Sequence, residues 1–216
     1  MAGTPHPFGL EGRRALLVGP PSPPVEAIAA ALTTAGATVS RLTLAPGRDP
    51  DRLAPLGEGP APDIVVHCAL ARGGGPLAGV TPDDLAGCLD GFVRDGFLVG
   101  QAALAAFARR PAGASGAVLI HVVTPLARVG AAERSLATMA MHALRGLTAA
   151  MAVELGPLGI RVNAIEVSAE GESGEPVLPA APDQGGLGAS VVYVASDAAV
   201  SMTGASLCLD AGWTAR

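Results

Sequence analysis

The chain has 216 residues, half of them hydrophobic and 15% charged, with 3% aromatics and a net charge of −5. This composition suits a single buried domain over residues 1–216 and excludes a disordered chain. With no basic stripe and few stacking aromatics, it also excludes a nucleic-acid partner.

In chain order, Arg14–Val18 (RALLV) reads as a short buried strand. Val25–Ala35 reads as a helix stopped by Gly36, and Ala37–Leu44 as a second strand. A Pro- and Gly-rich stretch, Ala45–Pro62, leads to a third apolar strand at Asp63–Ala69 (DIVVHCA). Thr81-Pro82 opens a long helix through Ala106, with Thr81 as N-cap and Pro82 in the first turn. Gly116–Val123 is a strand, Glu133–Leu155 a long Ala/Met/Leu-rich helix, and Gly159–Val167 another strand. Ala169–Gly188 is a loop, Ala189–Ser196 a helix and Ser206–Asp210 the last strand.

Strands and helices alternate, and the strands are continuous apolar runs. That pattern predicts an α/β fold: a doubly wound parallel sheet sandwiched by helices, Rossmann-like. Such sheets place ligands at the C-terminal ends of their strands.

The three cysteines, Cys68, Cys88 and Cys208, are odd in number and widely spaced, which argues against a disulfide framework. His67 and Cys68 are adjacent, so on a strand they point to opposite faces and cannot share a metal. No metal site is expected. The N-terminal residues lack the apolar core of a signal peptide, and no apolar run is expected to reach membrane-spanning length. A cytoplasmic location, away from the membrane, is the expectation. The Ala/Gly/Pro/Arg-rich, lysine-free composition suggests a GC-rich bacterial genome.

Leu147–Ile165 (LTAAMAVELGPLGIRVNAI) and Val191–Trp213 (VVYVASDAAVSMTGASLCLDAGW) closely resemble short-chain dehydrogenases/reductases of the 3-oxoacyl-carrier-protein reductase type. Ala27–Val39 resembles that family's first helix and second strand. The resemblance implies a Rossmann fold, NAD(P) binding and an Asn-Ser-Tyr-Lys catalytic set. It also implies that the stretch before Asp63, too short for the family's third strand and following helix, leaves that strand missing or vestigial, and that the substrate lid after Glu166-Val167-Ser168 is short.

Placed on this chain, the family's phosphate loop falls on Val18–Val25 (VGPPSPPV). Of its glycines only Gly19 remains. Pro20, Pro21, Pro23 and Pro24 lack an N–H, Ser22 stands between them, and Val25 is branched where the family has glycine. On this reading no dinucleotide cofactor is expected. No acidic residue ends the second strand to take a ribose hydroxyl; Arg41 could meet a 2′-phosphate or simply be solvated.

The family's catalytic Asn falls near Phe92, its Ser at Thr124 or Val123, and its Tyr and Lys at Ala137 and Met141. No realignment recovers the set. All 14 basic residues are arginine, the single tyrosine is Tyr193 on the late helix, and the single asparagine is Asn163 in the family's structural V-N-A. Carbonyl reduction needs an acid for the forming alkoxide, and a Tyr tuned by a neighbouring Lys⁺ is how this family supplies one.

The leading expectation is therefore a catalytically inactive subunit that assembles with and supports an active short-chain dehydrogenase/reductase. The assembly would be a hetero-tetramer, or a homo-oligomer, built through residues 83–106, residues 133–155 and the C-terminal strand. An alternative is a cofactor-independent acid–base enzyme, an isomerase, cyclase or dehydratase, using His67, His121, Thr124 and Glu166 at the strand ends. The bland reading of those four is that they are satisfied core groups. An atypical NAD(P)-dependent oxidoreductase is the weakest alternative.

Overall fold

The structure is a computed structural model and describes residues 8–44, 50–70, 74–111, 114, 116–168, 177–178 and 184–215. Six parallel strands form one sheet: β1 (Arg14–Val18), β2 (Thr38–Leu42), β3 (Ile64–Cys68), β4 (Ala117–Val123), β5 (Ile160–Val167) and β6 (Ser206–Leu209). Their order is β2-β1-β3-β4-β5-β6. The predicted doubly wound sheet is thus the observed one. Strands β3 and β4 are buried at every position, because helices cover both faces.

One face packs against α1 (Pro23–Thr34) and α5 (Gln184–Ala195), through Ile28, Leu32, Val66, Ile120, Val191 and Val194. The other packs against α3 (Asp95–Phe107) and α4 (Ser135–Leu155), through Val65, Leu119, Val99, Ala103 and Val162. The side chains alternate between faces with the two-residue period of a strand. Each fully buried Val, Leu or Ile contributes about 1.5–3 kcal/mol against leaving it in water.

No third strand intervenes between β2 and β3 among the described residues; Pro50–Gly57 forms a 3₁₀ helix there, leaving β2 at the edge. This agrees with the expected loss of that strand. The loop expected at Ala169–Gly188 lies mostly outside the described residues.

Three details differ from the sequence reading. The helix expected as one piece from Thr81 is α2 (Pro82–Cys88), a π-helical segment (Leu89–Arg94) and then α3. Thr81 does cap it: its hydroxyl accepts from the Asp84 amide, and the Asp84 carboxylate accepts from the Thr81 amide. Helix α5 starts at Gln184, five residues earlier than expected, and Gly188 within it serves packing and not a loop. A Cβ on Gly188 would lie 2.7 Å from the Ala31 Cβ and 3.0 Å from the Ala27 carbonyl oxygen. Finally, Ser135–Leu158 is long and apolar enough to cross a membrane by length and composition alone. It instead lays a buried stripe (Ala137, Ala140, Met141, Leu144, Thr148, Met151) on the sheet, as a core helix does.

Candidate functional site

The C-terminal ends of β1, β3, β4 and β5 converge on one rim, the position where open α/β sheets bind ligands. At the end of β1, Gly19 lies directly on β3. A Cβ there would meet the Cys68 Cβ at 3.0 Å and the Cys68 carbonyl oxygen at 3.2 Å, so only glycine lets the two turns close up. Helix α1 begins four residues later and points its N-terminus at this crevice. Pro23 and Pro24 occupy its first two positions, where a missing N–H breaks no helical bond.

The Glu26 amide is committed to the Ser22 carbonyl (3.0 Å). Among the described residues the amides of Ser22 and Val25 have no backbone partner, and Ser22 caps the helix without spending its hydroxyl. The positive end of the helix dipole adds to these donors. This is a smaller set of donors than a glycine-rich loop offers. Arg41 forms a two-pronged pair with Glu26 on the surface, 2.9 Å from Arg41 Nη2 to Glu26 Oε2.

Three of the four positions that the resemblance assigned to catalysis, Phe92, Ala137 and Met141, pack in or against one apolar cluster. Ala137 and Met141 are buried on α4 in one hydrophobic cluster with Ala69, Val123, Leu126 and Leu144. Phe92, in the π-helical segment, and Trp213, near the C-terminus, pack against the same cluster. Thr124 is fully buried at the end of β4, and its hydroxyl has no hydrogen-bond partner among the described residues. Where the family carries a phenol and an ammonium there is an apolar plug. Tyr193 lies on α5, across the sheet. Beside the plug, Gly75, Cys88, Phe92, Arg134 and Ala137 line a cavity of ≈ 400 Å³.

The alternative acid–base set divides in two. The register of β3 on β4 sets His67 against His121, both buried, with Nδ1 atoms 3.2 Å apart. Burial pushes both imidazoles down, to about 3 for His67, where the neighbouring ring adds to the effect, and to about 4 for His121. Both are therefore neutral at pH 7. Glu166 is instead held by Arg128 Nε and the Ser206 hydroxyl, with Arg145 Nε 3.8 Å away. No hydrogen bond joins it to either histidine among the described residues. That arginine clamp went unread in the sequence because Arg128, Arg145 and Ser206 are 17 to 78 residues from one another and from Glu166, apart from any motif. Cys68 is buried, and its thiol is pushed up to about 12 by burial, which makes it an inert core group. Among the described residues no group of three or more His, Cys, Asp or Glu could hold a metal ion.

A parallel sheet in this order, with a helix N-terminus facing the crevice between β1 and β3, defines a protein of the Rossmann-like α/β class. The profile of the family described as enoyl-(acyl carrier protein) reductase matches residues 58–169, more than half of the chain. The chain belongs to the short-chain dehydrogenase/reductase family. No curated protein sequence matches it.

Among solved structures it is similar to a short-chain type dehydrogenase/reductase from Mycobacterium marinum. The two are 24% identical with a TM-score of 0.83, over 97% of this chain and 98% of that one. It is also similar to a protein from Beutenbergia cavernae named as an NAD(P)-dependent gluconate 5-dehydrogenase, with NADP bound at low occupancy. Here identity is 22% and the TM-score 0.81, over 98% of this chain and 100% of that one.

These findings point to NAD(P) use in the family and overturn the expectation that no dinucleotide cofactor is involved. The physical reason lies in the loop. Four prolines do remove four donors, and the helix start accommodates Pro23 and Pro24 as the sequence suggests, but the loop is not left without donors. The helix N-terminus and two amides survive. The amides of Ser22 and Val25 would hold the phosphates, while the Gly19 amide is spent on the Leu42 carbonyl and its bare Cα lets the turn lie against Cys68.

Proposed function

We propose that this chain is a short-chain dehydrogenase/reductase subunit that holds a nicotinamide dinucleotide in the Gly19 crevice but does not itself reduce a carbonyl, and that it assembles in the cytoplasm with a catalytically complete partner of the same family. The observation that carries this reading is the apolar cluster at Phe92, Ala137 and Met141. A bound dinucleotide supplies a hydride; the alkoxide formed still needs a proton donor at its oxygen. The chain has no lysine to tune a phenol, and its one phenol lies on the far face of the sheet.

The α3 and α4 surfaces support the partner half of the proposal. Phe97, Leu89, Met139 and Val153 are exposed large apolar residues on the π-helical segment, α3 and α4. Exposed apolar groups of this kind favour a subunit contact. Co-expression with an intact reductase of the family, followed by native mass spectrometry, tests the proposal. A mixed oligomer supports it, and recovery of unmixed species with every such candidate ends it. Carbonyl reduction by the pure chain, in proportion to its concentration, would equally end it.

A further inference from the structure

On the far side of the sheet from the β2 edge, a cleft of ≈ 600 Å³ opens between α4 and β6. Arg128, His142, Arg145 and Ser206 line it. Beneath them lies the carboxylate of Glu166, fully buried on β5. Arg128 Nε donates to Glu166 Oε2, the Ser206 hydroxyl donates to Oε1, and Arg145 Nε approaches Oε1 at 3.8 Å. One carboxylate thus faces two guanidinium groups, and no other carboxylate lines the cleft among the described residues. One positive charge is left over.

The donors that remain are fixed in direction. Arg128 Nη2 donates to the Ser206 carbonyl at 2.8 Å, and Arg145 Nη1 to the Ala127 carbonyl at 3.4 Å. Arg145 Nη2 has no hydrogen-bond partner among the described residues, and the Arg128 guanidinium, beyond Glu166 and the Ser206 carbonyl, has only the Cys208 thiol beside it. The side chains are 30% and 44% exposed, so solvent and a solute can reach them. A buried carboxylate that pins one edge of an arginine fork pre-organises the other edge, and planar forks suit tetrahedral oxyanions. Holding the forks in advance removes part of the ordering cost of binding.

We propose that this cleft is a phosphate-binding site in which Arg128 and Arg145 take inorganic phosphate or the phosphate of a small monoester. It is separate from the dinucleotide crevice, which lies at the ends of β1 and β3. It therefore stands or falls independently of the proposed subunit role.

Calorimetric titration of the whole chain with inorganic phosphate, and separately with glycerol 3-phosphate, tests it, with sodium chloride holding ionic strength constant. Saturable binding at one site is expected, and the tighter of the two ligands tells free phosphate from an ester. Arg145→Gln is exposed enough to fold, and it weakens binding by about tenfold or more, the usual value of a charge-assisted hydrogen bond. Arg128→Gln, with folding followed by circular dichroism, weakens it in the same way. Neither should alter a parallel NADPH titration. No saturation with either ligand, or unchanged affinity in Arg145→Gln, overturns the proposal.

Discussion

His67 and His121 meet Nδ1 to Nδ1 at 3.2 Å in the middle of the sheet, and the Nε2 of His121 is buried with no partner among the described residues. One ring must donate and the other accept, so at least one ring has to be neutral, and burial disfavours a charge on either. Their folded pKa values, about 3 and about 4, lie below the ordinary histidine value of 6.5. The unfolded chain therefore binds more protons on acidification. The pair's stabilising effect is full above pH 6.5 and falls as pH drops toward 4, by about 1.4 kcal/mol per pH unit for each histidine. Urea midpoints measured from pH 7 to pH 4.5 should fall accordingly, and more shallowly in His67→Leu/His121→Leu. Parallel slopes in the two proteins would refute this.

The contact of α1 with α5 depends on a bare backbone at Gly188. Gly188→Ala sets a methyl 2.7 Å from Ala31 Cβ and 3.0 Å from a backbone oxygen, neither of which can swing away. The helices must separate, at a cost of about 1–3 kcal/mol. Gly87→Ala, where nothing lies within 4 Å of the new methyl, serves as the control and should not destabilise the protein. Thermal unfolding of the two variants decides the point.

Glu166 and Glu26 both pair with arginine, in opposite surroundings. Glu166→Ala leaves Arg128 without its buried counter-charge and costs about 2–4 kcal/mol, toward the low end because Arg128 is partly exposed. Glu26→Ala removes an exposed partner of Arg41, and its effect should fall within the error of a denaturant titration.

Restoring an amide to the start of α1 should strengthen dinucleotide binding. Pro24→Ala adds an N–H in the first turn without changing the helix register. One further donor to a phosphate is worth about threefold to tenfold in NADPH affinity, read by fluorescence titration. Equal affinity in parent and variant would mean that the α1 N-terminus is not where the phosphates sit.

Much of the fold was legible in the chain. Arg14–Val18 is a strand with the bounds the sequence suggested, and Thr81 caps the helix it was expected to cap. These signals are local: a run of apolar residues, or an oxygen three residues from an amide. The π-helical segment at Leu89–Arg94 was not legible, because a π turn uses the same good helix formers as an α turn. The start of α5 was not legible because Gly185, Gly186 and Gly188 signal a loop in the sequence, and only the docking of α1 shows that Gly188 lies where a side chain has no room.

By itself the sequence determined the order of strands and helices, the burial of both sheet faces, and the want of any lysine beside a phenol. All three follow from composition and periodicity, which do not depend on what lies opposite. Only the tertiary structure decided that Phe92, Ala137 and Met141 close into one apolar cluster, that His67 faces His121, and that Glu166 belongs to Arg128 and not to the histidines. Those pairings rest on cross-strand register and helix docking between residues tens of positions apart, and no short stretch of chain encodes them.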